Sequence, residues 1–219
     1  MEIGAVVFDA YGTLFDIDAL APHCERLWPG YGSTLVNLWR TKQLQYSWLR
    51  SLMSSYADFD AVTTDALIHA CKTYGLPCDA GRVQTLLGAF HSLQTFPEVP
   101  AVLKALRGRR RAILSNGSPT TLETTVRNSG LQSEIDLILS VDSVKVYKPD
   151  PRVYRLAVDA LALDKERIAF VSSNSWDACG AKRFGFRVFW VNRAGGPLDE
   201  LGIEPDRDLS NLEELPRLL

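Results

Sequence analysis

Residues 3–16 read IGAVVFDAYGTLFD. The run Ile3 to Phe8 is apolar throughout, as expected of a strand buried on both faces, yet it ends on a carboxylate, Asp9, with Tyr11, Gly12 and Thr13 just beyond. Four more short β-type runs follow, at Ala112 to Leu114, Leu137 to Leu139, Ile168 to Val171 and Val188 to Val191. Helical stretches separate these later four, at Pro119 to Asn128, Pro151 to Leu161 and Trp176 to Phe184. Apolar runs alternating with helices predict an α/β fold built on an open parallel sheet.

Between the first and second runs the texture changes. Leu35, Leu38, Trp39, Tyr46, Leu49, Leu52 and Met53 follow the three-and-four spacing of one helical face. Further helices are expected over Val62 to Tyr74 and Arg82 to Leu93, parted by the turn-like Tyr74-Gly75-Leu76-Pro77. This is too much helix for a simple crossover. The segment reads as an all-helical cap over 17–94 inserted into a Rossmann-like core of 1–16 and 95–219, with hinges near Phe15 to Asp18 and Thr95 to Pro100.

The chain has 219 residues, enough for one good core with a smaller satellite. Its 24 basic and 26 acidic residues nearly cancel, so neither nucleic acid nor an anionic membrane is expected as a partner. The basic cluster Arg107 to Arg111 reads as a solvated turn. Cys24, Cys71, Cys78 and Cys179 show no CxxC spacing, which points to a reducing compartment rather than a zinc or redox site. With no basic leader at the start and no apolar stretch of membrane-spanning length, a cytoplasmic protein is expected. His23, His69 and His91 all fall in the helical insert without metal spacing and receive no role.

In open α/β sheets ligands sit at the carboxyl ends of the strands. Asp9 follows the first strand, Ser115-Asn116-Gly117 the second, a loop with Lys148 the third, and Ser172-Ser173-Asn174 and then Asp177 the fourth. Taken singly, Asp9 could cap a turn, Ser115 and Ser172 could cap helices, Lys148 could be solvated, and Asp177 could be a first-turn acid favoured by the helix dipole. Four polar sets at four successive strand ends make a shared site the better reading.

FDAYGTLFD, ILSNGS, YKPDPRVY and FVSSNSWD, in that order and with a helical insert after the first, resemble the motifs of the haloacid dehalogenase superfamily and, within it, the L-2-haloacid dehalogenases. The resemblance covers essentially the whole chain. It implies hydrolysis of (S)-2-haloacids to (R)-2-hydroxyacids through an aspartyl ester, with no cofactor or metal, a small 2-haloalkanoic acid as substrate and halide as product. It also implies a homodimer, for which the apolar helical insert is the obvious surface.

Phosphatases of the same superfamily carry two further acids, one two residues after the nucleophile and one in the fourth motif. Those positions here hold Tyr11 and a hydroxyl residue, Ser172 or Ser173. Phosphoryl transfer needs a cation for its equatorial oxygens and a proton for its alkoxide leaving group. Halide leaves as a stable anion, so displacement at carbon needs neither.

The resemblance then distributes roles. Asp9 is the nucleophile, oriented by Thr13 and paired with Lys148, since a nearby cation favours the charged form of a buried carboxylate. Asp177, with Asn174 and Ser172, positions and activates the hydrolytic water. Ser115 and the backbone at Asn116 seat the substrate carboxylate, as a strand-to-helix turn presents free N–H groups. Tyr11, Phe59 and Trp176 wall the pocket, and Tyr154 is expected among the substrate-binding residues.

Arg40 lies on the line Val36, Arg40, Leu44 and interrupts an apolar edge. By spacing alone it could be a snorkelling rim residue. LWRTKQLQYSWLRSLM resembles the family's cap helix, where the Arg faces the core and cradles the departing halide with Asn116 and the aromatic matching Trp176. Thr41 and Asp60 depart from some relatives and are expected to border the pocket.

Two other readings stand beside this one: a magnesium-dependent phosphatase of a small phosphorylated acid, and a catalytically silent binding protein of the same fold. The absent acids separate them. Halide release from 2-chloropropionate is expected to persist in excess chelator, whereas a strict magnesium requirement would identify the phosphatase.

Overall fold

The structure is a computed structural model that describes residues 2–219. Strands β1 (Ala5–Phe8), β2 (Arg110–Ser115), β3 (Leu137–Ser140), β4 (Ile168–Ser172), β5 (Arg187–Val191) and β6 (Arg207–Leu209) form one sheet in the order β3-β2-β1-β4-β5-β6, every pair parallel. The all-apolar reading of β1 holds because the strand is central, with Phe8 opposite Ile113 on one side and Val171 on the other.

The helices are α1 (Ala21–Leu27), α2 (Gly32–Leu52), α3 (Phe59–Thr73), α4 (Ala80–Phe90), α5 (Val99–Ala105), α6 (Pro119–Asn128), α7 (Pro151–Leu161), α8 (Ser175–Phe184) and α9 (Leu215–Leu218). α1 to α4 are the helical insert. Its two connections run side by side: Asp16 N donates to Gln94 O (2.9 Å) and Phe96 N to Leu14 O (3.1 Å). Asp58 and Asp79 start α3 and α4 as N-caps, accepting from Ala61 N and Arg82 N.

Strand order reverses between β1 and β4, which opens a crevice at their carboxyl ends. Asp9 enters it directly, its N–H continuing the ladder to Val171 O (2.9 Å). The chain then turns back at once, with Gly12 N donating to Phe15 O (2.7 Å). Gly12 adopts φ +84, and a Cβ there would stand 3.0 Å from Ser173 Oγ, so glycine is required on both counts.

Four expectations need correction. Leu49, Leu52 and Met53 are 42%, 83% and 64% exposed, so the apolar stripe of α2 is buried only along its first half, at Leu35, Val36 and Trp39. Arg111 is not part of a solvated turn: its guanidinium is buried and forks between Glu134 (3.1 Å) and Asp136 (3.0 Å). α5 occupies the end of the expected Thr95 to Pro100 hinge, and β6 was not expected. Both are short, and a seven-residue helix or a three-residue edge strand carries too few turns of pattern to stand out.

Gly180 lets α8 approach α7 and the Lys148-Pro149 turn. A Cβ at Gly180 would meet Tyr154 Oη at 2.5 Å and Pro149 Cβ at 2.6 Å. Replacing Gly180 by Ala is therefore expected to cost about 1–3 kcal/mol, the usual range for overpacking, with loss of activity because Tyr154 and the Lys148 turn are displaced. Urea denaturation alongside turnover measures both, and a variant with unchanged stability would show that the helices separate freely.

Candidate active site

Asp9 leaves β1 into a crevice walled by the ends of β2 and β4, and three groups meet its carboxylate. Lys148 Nζ lies 3.0 Å from Oδ1, Asn174 Nδ2 donates to Oδ2 (2.8 Å), and the Thr13 hydroxyl lies 3.3 Å from Oδ2. Thr13 Oγ1 in turn accepts from Ser173 N (2.8 Å), tying the loop after β1 to the end of β4.

Lys148 has no exposed surface, and its ammonium bridges two carboxylates, Asp9 and Asp177 (2.9 Å). Burial alone would lower its pKa, but Asp177 and Asp9 outweigh burial and hold it above the ordinary lysine value. Burial pushes the Asp177 carboxyl up, Lys148 pulls it down, Asp9 pushes it up again, and the net direction is upward. Tyr154 Oη donates to Asp177 Oδ1 (2.8 Å), which leaves Tyr154 holding Asp177 from below rather than lining a substrate pocket.

Asn174 is the N-cap residue of α8, yet its side chain makes no capping bond. The amide is turned instead to Asp9 and to Tyr11 O (3.2 Å). A cap residue that forgoes its usual bond points to a second task for its side chain. Ser172 Oγ accepts from Asn174 N (3.2 Å) and so shapes this turn. The Asn174 side chain thus serves Asp9, while its carbonyl accepts from Asp177 N (3.1 Å) in the first turn of α8.

On β2, Ser115 is fully buried and its Oγ accepts from Gly117 N (3.1 Å), which leaves its hydroxyl proton to donate. Asn116 Oδ1 is taken up by Lys148 N (3.1 Å), so its Nδ2 is the end with free donors. Tyr11 packs on Phe59 and Phe90, with ring centroids 5.8 and 4.8 Å apart, and its buried hydroxyl has no partner. Burial, then Asp60, raises the Tyr11 phenol far above its ordinary value, so it stays neutral. Trp176 is half-buried, edge-on to Trp48 at 5.4 Å.

Arg40 comes from α2. Its guanidinium is buried beside Ile17, Leu20, Val36, Trp39 and Phe90, and Nη1 donates to Gln43 Oε1 (2.7 Å). Burial pulls its pKa down while Asp9, Tyr11 and Asp177 pull it back up. A cavity of about 10 Å³ lies beside Arg40, at the bottom of what a single water needs.

Several residues have places the sequence did not suggest. Thr41 faces solvent, its hydroxyl spent on Asn37 O, and does not border the pocket. Asp60 accepts from Ser118 Oγ (2.7 Å) and Thr121 Oγ1 (3.0 Å) at the start of α6, with His91 Nε2 3.8 Å away. Burial would raise the Asp60 carboxyl, but nearby His91 and the bonds from Ser118 and Thr121 hold it below the usual range. Nothing local marks Asp60 or His91, because their partners lie far along the chain. Gln43 could have been found, since it stands three residues from Arg40 on one helix. Among the described residues no three His, Cys, Asp or Glu side chains converge as metal ligands.

The profile of haloacid dehalogenase-like hydrolases matches residues 3–185. The chain belongs to that family. It is 48% identical to an (S)-2-haloacid dehalogenase of Pseudomonas sp. (strain YL) over 99% of this chain and 94% of that protein. A solved L-2-haloacid dehalogenase superposes with a TM-score of 0.98 at 43% identity, covering 100% of this chain and 99% of the other. The L-2-haloacid dehalogenase of Xanthobacter autotrophicus, solved with chloropropionic acid covalently bound, superposes with a TM-score of 0.92 at 40% identity, covering 99% and 98%.

Replacing Lys148 by Met would leave two buried carboxylates facing each other. Breaking such a cluster is expected to cost about 3–5 kcal/mol near neutral pH. Asp177, already held above the ordinary aspartate value, then takes up a proton. A group whose folded pKa is raised adds stability below its unfolded pKa, about 3.9, and that stability is lost as pH rises through the folded value. The stability gap between variant and wild type should therefore be wider at pH 8 than at pH 5 in urea melts. An equal gap at both would show that charge is not the cause.

Proposed function

We propose that this protein hydrolyses (S)-2-haloalkanoic acids to (R)-2-hydroxyalkanoic acids and halide through an ester on Asp9. The observation that carries the reading is a buried carboxylate, Asp9, held by Lys148 and Asn174 and close enough to Arg40 for their charges to interact, with an aromatic at the position two residues on. The covalent chloropropionic acid adduct of the Xanthobacter relative supports a nucleophile of this kind.

The substrate carboxylate would sit at Ser115 Oγ and the backbone N–H groups of the turn after β2, which places C2 before Asp9. An Asp9 oxygen attacks C2 from the side opposite the halogen, the C–O bond forms as the carbon–halogen bond breaks, and C2 inverts. Arg40 and Asn116 Nδ2 supply the donors for the departing halide. Asp177 then removes a proton from water as the water oxygen attacks the Asp9 carbonyl carbon, and returns it to the departing alkoxide oxygen as the acyl bond breaks. The ester cleaves at its acyl bond, so the 2-hydroxy acid keeps the configuration set in the first step. Lys148 stays between both carboxylates throughout and balances the charge.

The role of Tyr11 supports dehalogenation over phosphate transfer. Its ring is packed against Phe59 and Phe90, so that position holds no carboxyl group to exchange a proton with an alkoxide, and a phenol pushed so far above its ordinary value is a poor proton donor. We further propose that 17–94 acts as a cap over a core of 1–16 and 95–219, since the insert supplies Arg40 and Phe59 and the core supplies Asp9, Lys148 and Asp177. The exposed Leu49, Leu52 and Met53 make α2 the face on which a second copy would pack.

A single turnover in oxygen-18 water tests the covalent step. The ester route places the heavy oxygen in the Asp9 carboxylate, found by peptide mass mapping, and leaves the 2-hydroxy acid light. Label in the product with an unlabelled Asp9 peptide would mean that water attacks C2 directly.

A further inference from the structure

Arg40 and Lys148 both reach the site on long, flexible stems, but the Lys148 ammonium is fixed between Asp9 and Asp177, while the hydrogen bond of the Arg40 guanidinium among the described residues goes to Gln43. An arginine side chain gives up rotamer freedom when it is fixed in place. Something must hold the guanidinium in one orientation if its donors are to wait where halide charge develops. The structure has such a device. Arg40 Nη1 donates to Gln43 Oε1 (2.7 Å), Gln43 Nε2 donates to Thr63 Oγ1 (2.6 Å), and Thr63 Oγ1 donates to Phe59 O (2.6 Å). Gln43, Thr63 and Phe59 are each 1% exposed.

The direction of this chain is determined from its far end. Phe59 O can only accept, so the Thr63 hydroxyl must donate to it and has a lone pair left for Gln43 Nε2. The Gln43 amide is thereby oriented with its oxygen toward Arg40, and the flipped amide would set donor against donor at Arg40 and acceptor against acceptor at Thr63. Bonds in such a sequence polarise one another. A neutral acceptor also leaves the guanidinium its full charge, where a carboxylate would draw that charge away from the site. The i,i+3 spacing does not by itself produce this: Lys42 and Gln45 make the same kind of bond on the exposed side of α2.

We infer that Gln43 is a positioning residue for halide departure, oriented by Thr63 so that it fixes the Arg40 guanidinium toward the halogen. The inference rests on the dehalogenase reading above. It assigns Gln43 to the ester-forming step and separates it from substrate affinity, which the Ser115 turn governs, and from ester hydrolysis, which Asp177 governs. A poorer leaving group carries more need for a well-placed donor, so chloride should depend on Gln43 more than iodide does.

Gln43→Met and Thr63→Val test this, the second because it is nearly isosteric and leaves Gln43 in place without its orienting partner. With (S)-2-chloropropionate, Gln43→Met is expected to lower kcat and the single-turnover rate of ester formation tenfold or more, with KM within twofold. With (S)-2-iodopropionate the loss should be threefold or less. Thr63→Val should follow the same pattern more weakly, and Thr63→Ser, which restores the hydroxyl, should recover the wild-type halide dependence. Equal losses on both halides, or a change confined to KM, would overturn the positioning role. Failure of the wild-type protein to release halide from either acid would instead remove the dehalogenase reading, and this inference with it.

Discussion

The Lys148 ammonium, fully buried between Asp9 and Asp177, is the contact on which the arrangement depends. Two carboxylates a few ångströms apart in a dry interior repel and are costly to desolvate. A single cation in contact with both makes their burial tolerable and sets their separation. It also ties three pieces of chain together: the end of β1, the loop after β3 and the first turn of α8. The neighbouring structure serves this contact. Tyr154 and the close approach at Gly180 hold Asp177 and the Lys148 turn, while Asn116 fixes the Lys148 backbone.

What could be read from the sequence follows the same division. The strand ends were legible because a parallel sheet brings its carboxyl termini to one edge whatever the details of packing, so Asp9, Ser115, Lys148 and Asp177 were placed by topology alone. The core strands were legible for a similar reason, as a doubly covered sheet writes itself as apolar runs. Contacts decided by how the helical insert meets the core were not legible. Asp60 with Ser118, Tyr147 N with Ser51 Oγ and Tyr56 with Asp142 join residues far apart in the chain, and no local pattern announces them. Nor does periodicity say how far along α2 the buried stripe continues, which is why Leu49, Leu52 and Met53 turned out exposed. The contact of Asn174 with Asp9 was hidden for another reason: an Asn at a helix start has an ordinary explanation in capping, and only coordinates show that it declines it.

The seam between insert and core has Arg40 on the insert side and Asp9, Lys148 and Asp177 on the core side. Inside the insert the helices pack through apolar side chains such as Leu35, Val62 and Leu86, and across the seam part of the contact is polar and near the rim. A net hydrogen bond of this kind contributes about 0.5–1.5 kcal/mol, and the rings of Tyr11, Phe59 and Phe90 join the two sides as well. Arg40, Gln43 and Thr63 all lie on the insert and would move together, keeping the guanidinium oriented. Asp9, Lys148 and Asp177 all lie on the core and would keep their spacing. The nucleophile is then complete before substrate arrives, and the halide donor is complete before it closes. On the proposed function, closure of the insert would put the two on opposite sides of the same carbon and shut out water until the ester has formed.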